Sequence, residues 1–119
     1  MAWSTLAVAI TGTRNRGANV SESSDVWLLS GPGPRPPFAE VAHHLWGGAD
    51  FDSDGNSETP ADVNWTELTL IRRPNQDERV DIDPVSEDPL VLKISSATPG
   101  LARRTAEFLT RLCGGSMSR

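Results

Sequence analysis

The chain has 119 residues, 37% of them hydrophobic and 23% charged, and a formal net charge of −5. This size predicts one domain, residues 1–119, that can bury a core without disulfides or metal. The single cysteine, Cys113, excludes an internal disulfide, so a secreted scaffold built on staples is not expected.

Residues 2–10, AWSTLAVAI, are apolar but lack a basic flank and are too short to span a bilayer. Their alternation predicts a strand, Trp3–Ile10, and a cytoplasmic protein with no membrane association is the expectation. The polar stretch TGTRNRGANVSESS (11–24) reads as a loop. A second strand, Val26–Ser30, precedes GPGPRPP (31–37), an extended and stiff connector.

PPFAEVAHHLWGG (36–48) places Phe38, Val41, Ala42, Leu45 and Trp46 on one helical stripe. Pro36 and Pro37 suit a first turn, whose N–H groups have no intrahelical partner, and Gly47-Gly48 ends the helix. His43 and His44 fall off the stripe. Neighbours on a helix point about 100° apart, so the two cannot chelate one ion as an i, i+4 pair would.

Three further strands follow: Trp65–Arg72, Arg79–Asp83 and Leu90–Ser95. RRPNQDE (72–78) has the residues of a turn, so the first two should form an antiparallel hairpin. In TPGLARRTAEFLTRLCGG (98–115), Thr98 is placed to cap a helix with Pro99 at its first position. Leu101, Thr105, Phe108, Leu109 and Leu112 form its apolar side. The element order is therefore ββαβββα. It predicts an α+β two-layer sandwich, a mostly antiparallel five-stranded sheet with two helices on one face.

Between the first helix and the third strand lies ADFDSDGNSE (49–58). Asp50, Asp52 and Asp54 hold positions 1, 3 and 5 of a calcium loop, Gly55 holds position 6 and Glu58 position 9. Position 12, which needs a bidentate Glu, is Ala61. The same stretch is also rich in ordinary turn residues. The calcium ligands it offers are Asp50, Asp52, Asp54 and Glu58, half of a loop that has no exiting helix.

Charge is unevenly spread along the chain. Residues 50–88 hold twelve carboxylates against Arg72, Arg73 and Arg79, a balance of −9; residues 89–119 balance at +4. The middle block repels nucleic acid and attracts a basic protein. No phosphate loop, dinucleotide fingerprint, nucleophile elbow or zinc spacing is present. Cys113, near a helix C-terminus, lies where a thiolate is disfavoured.

Strand alternation puts Asp81 and Asp83 outward, opposite the core positions Val80 and Ile82, and leaves two readings for Trp3 and Trp65: exposed on the open sheet face, or capping the ends of the core. Exposed tryptophans anchor protein interfaces. These features predict a small, acidic, non-catalytic binding or regulatory domain that uses no cofactor and holds a basic partner protein through Trp3, Trp65, Asp81 and Asp83. An inhibitor of a basic enzyme, such as the immunity protein of a toxin, has the same charge logic by analogy. The alternative is a calcium-binding module.

Overall fold

The computed structural model describes residues 25–74 and 77–119. The predicted strand Trp3–Ile10, with Trp3, and the 11–24 loop lie outside the described residues. Strand β1 (Asp25–Ser30) is followed by helix α1 (Phe38–Trp46) and strands β2 (Phe51–Gly55), β3 (Leu68–Arg72), β4 (Arg79–Glu87) and β5 (Leu90–Ser96). Helix α2 (Leu101–Cys113) and a short strand, β6 (Ser116–Ser118), complete the chain. The expected α+β sandwich is present, with six strands among the described residues where five were expected. All strand pairs are antiparallel, and the spatial order is β2-β3-β4-β5-β1-β6.

One face of the sheet is covered. Leu29, Leu70, Val80, Ile82, Leu92 and Ile94 project from it and are sealed by Val41, Ala42 and Leu45 of α1 and Leu101, Ala102, Ala106 and Leu109 of α2. Both helices therefore sit on the same side, as their amphipathic stripes require. The β3–β4 hairpin forms as expected, with Leu68 opposite Ile82 and Leu70 opposite Val80.

The ends of α2 differ from the expected pattern. Thr98 does not cap it: its carbonyl accepts the Leu101 N–H, closing a turn with Pro99 second and Gly100 third. Gly100 has φ 79°, the left-handed value that the third position of a type II turn demands. Leu112 is 51% exposed, whereas Ala102 and Ala106 are fully buried. The helix lies close to β1, and small side chains allow that approach.

Two strands were not anticipated. β6 lies beside β1, with Met117 opposite Leu29. β2 coincides with the Asp-x-Asp-x-Asp-Gly stretch. Phe51 packs against the core edge, and Phe38 of α1 meets its ring edge-on at 6.5 Å between centroids. That one apolar anchor and the pairing to β3 hold the stretch extended. Gly55 closes β2, because a Cβ there would overlap the Glu67 carbonyl.

Candidate functional site

The acidic segment begins at the end of α1 and runs along β2, which ends the sheet among the described residues. Asp50, Asp52 and Asp54 follow one another at every second residue of an extended chain. Such spacing separates successive carboxylate-bearing Cα atoms by about 6.6 Å and the outer two by about 13 Å. A calcium loop instead wraps its oxygens around one point at about 2.3–2.6 Å. Among the described residues, no group of three or more His, Cys, Asp or Glu side chains is placed to hold a metal ion. Asp52 meets Arg73 at 3.5 Å, and Asp54 accepts the N–H of Gly55 at 2.9 Å. Glu58 is exposed, and its N–H donates to Asp62 at 3.0 Å.

The backbone between β2 and β3 is pinned from two directions. Asp62 accepts N–H bonds from Glu58 and from Asn64, and these donors hold its carboxyl below the usual range. Arg35, in the proline-rich connector, is 7% exposed. Its Nε donates to the Trp65 carbonyl at 2.9 Å and one terminal nitrogen donates to the Gly33 carbonyl at 2.7 Å. Burial lowers its pKa, the largest effect on it. The buried cation thus ties residues 33–36 to the end of the acidic loop.

Trp65 is correspondingly not a surface anchor. It is 1% exposed and its indole N–H donates to the Pro36 carbonyl at 2.7 Å. β3 begins only at Leu68, so strand alternation does not extend back to Trp65, and the expected open-face position is corrected. Asp81 and Asp83 do lie on the open face. Asp81 is half-buried, accepts from the Thr69 hydroxyl at 2.6 Å and pairs with Arg79 at 3.0 Å. Asp83 is exposed and sits opposite Lys93. Arg79 and Lys93 make this face mixed in charge. The strongest acidic excess is at β2 and its loop.

On the helix side of β2 there is a groove of about 660 Å³, with largely apolar walls. Ala39, His44, Phe51 and Phe108 are among its walls, and the carboxylate residues Glu40 and Asp50 also line it. His44 stacks on Phe108, with centroids 4.1 Å apart. Burial lowers its pKa, with Arg111 and Arg104 pushing the same way, so the ring favours its neutral form. A smaller hollow of about 220 Å³ lies further along β2, with Phe38, Ser53, Gly55 and Leu68 among its walls. Sequence reasoning put Phe108 in the core and left Phe51 unassigned. Phe51, an apolar residue between two aspartates, was the available signal.

Cys113 is half-buried at the end of α2, and burial raises its thiol pKa despite the nearby Arg35. It packs partly against the core. Comparison with protein-family models, curated proteins and solved structures finds no match.

Proposed function

We propose that this chain is a small protein-binding domain that holds a partner with a basic surface, using the acidic edge of its sheet. One observation carries this reading. Residues 47–71 contain Asp50, Asp52, Asp54, Glu58, Asp62 and Glu67 and no Lys or Arg. Five of these carboxylates are exposed, and the sixth, Asp62, is half-buried. Like charges gathered on an edge strand and its loop repel one another, and a basic partner relieves that repulsion and is drawn in by the same field. The interaction surface is thus moved from the open face around Trp65 to β2 and the loop beyond it.

The reading is a non-catalytic one. It rests on charge placement alone and requires no cofactor. It is tested by capturing the partner and following association by surface plasmon resonance across a salt series. The on-rate should fall as ionic strength passes about 0.15 M, where the Debye length is near 8 Å. Replacing Asp52 and Asp54 together by Asn should flatten that dependence. An on-rate indifferent to salt and to both aspartates overturns the reading.

A further inference from the structure

The charge of β2 suggests which partner it takes; its backbone and the neighbouring hollows suggest in what form. The Arg73 N–H donates to the Asp50 carbonyl, and the Asn56 N–H donates to the Glu67 carbonyl. In the β2–β3 register these mark hydrogen-bonded pairs, so residues 50, 52, 54 and 56 turn their backbone groups toward β3. Phe51 and Ser53 turn theirs the other way. Among the described residues β2 ends the sheet, and those N–H and C=O groups face outward from it.

The side chains divide with the same period. Asp52 and Asp54 share the open face with Ile71 and Thr69, their partners in β3. Phe51, Ser53 and Gly55 face the helix side, where the larger groove and the smaller hollow both open beside the strand. Ser53 and Gly55 are small and leave that side of the edge unfilled, while Phe51 and Phe38 stand between the two hollows.

Resting on the basic-partner reading above, we infer that β2 receives an extended segment of the partner as an added strand. Its basic side chains would lie beside Asp52 and Asp54, and the apolar side chain next to these and opposite Phe51 would enter the groove bounded by Phe51, Ala39 and Phe108. Main-chain pairing supplies affinity in such strand addition, and alternate side chains supply selectivity. Charge complementarity specifies the occupant. Carboxylates on an edge strand discourage indiscriminate edge pairing, and here they leave a strand of opposite charge as the matching one. The period-two pattern of basic and apolar residues follows from the faces of β2.

The test uses the full chain and a short synthetic peptide alternating lysine with valine, with phenylalanine at its centre. A control peptide has the same composition with the lysines gathered at one end. Heteronuclear NMR and amide exchange are measured for both. Expected are shifts at Ala39, His44 and Phe108 with the alternating peptide, slower exchange of the Phe51 and Ser53 amides, and an affinity about tenfold above the control. Ala39→Trp, which fills the groove from an exposed helix position, should reduce the alternating peptide to the control level. Asp52→Asn combined with Asp54→Asn should weaken both peptides.

If both peptides bind equally, with salt-sensitive affinity and no amide protection, strand addition fails while the basic-partner reading stands. If neither binds, both fail. Phe51 and Ser53 amides already protected in the free chain, or self-association lost when β2 is altered, would show the edge occupied by this chain itself and overturn the inference.

Discussion

At the β6 edge of the sheet, α2 lies over β1, β5 and β6 and shows Arg103, Arg104 and Arg111 to solvent. At the β2 edge, α1 reaches β3, and the side of β2 next to it opens into a groove lined by His44 and Phe51. The chain keeps its acidic and basic blocks apart in space because of strand order. β2, β3 and β4 come from the block balanced at −9, while β5, α2 and β6 come from the block balanced at +4. Burial is concentrated under α2, and the charge excess is concentrated at β2, which ends the sheet among the described residues. An edge with few packed neighbours tolerates repulsion and open hydrogen-bonding groups that a well-covered strand would not.

The sharpest way to break this contrast is to damage the covered half. Leu109 is fully buried under the sheet, and Leu109→Ala should cost about 2–5 kcal/mol of stability in denaturant melts. Leu112, one turn further on and 51% exposed, should lose much less on the same truncation. Equal losses would mean that α2 presents a different face to the core.

A smaller effect is expected at the groove. The His44 pKa is lowered, chiefly by burial and then by Arg111 and Arg104. On acidification the unfolded chain takes up this proton near the ordinary histidine pKa of about 6.5, before the folded chain does. Stability should therefore fall as pH drops through that value and level off once pH is below the folded pKa. His44→Gln should remove part of this slope in thermal melts at successive pH values, and an unchanged slope would separate His44 from it.

The smallest expected effect concerns calcium. With Ala61 at the twelfth position and Asp50, Asp52 and Asp54 spread along an extended chain, calorimetry should find at best millimolar affinity. Asp54→Asn should leave the melting temperature in calcium almost unchanged. Micromolar binding abolished by that substitution would replace the contrast between the edges with a calcium site.

Local pattern determined much of this protein. Val80 and Ile82 alternate with Arg79, Asp81 and Asp83, and the same alternation appears in the folded strand, because adjacent residues on a strand point to opposite faces whatever it pairs with. The stripe of Val41, Ala42 and Leu45 likewise marked the buried side of α1. Charge blocks could be read directly, since they are sums over sequence. Tertiary structure alone decided the fate of Trp65, which Arg35 and Pro36 draw inward through bonds spanning about thirty residues. It also decided that Asp52 and Asp54 lie along a strand, with Asp50 just ahead of it. Their local composition favours a turn, and only pairing with β3 and the contact of Phe51 with Phe38 outweigh it. The groove belongs to the same class: its walls come from α1, β2 and α2, and no short stretch of sequence contains all three.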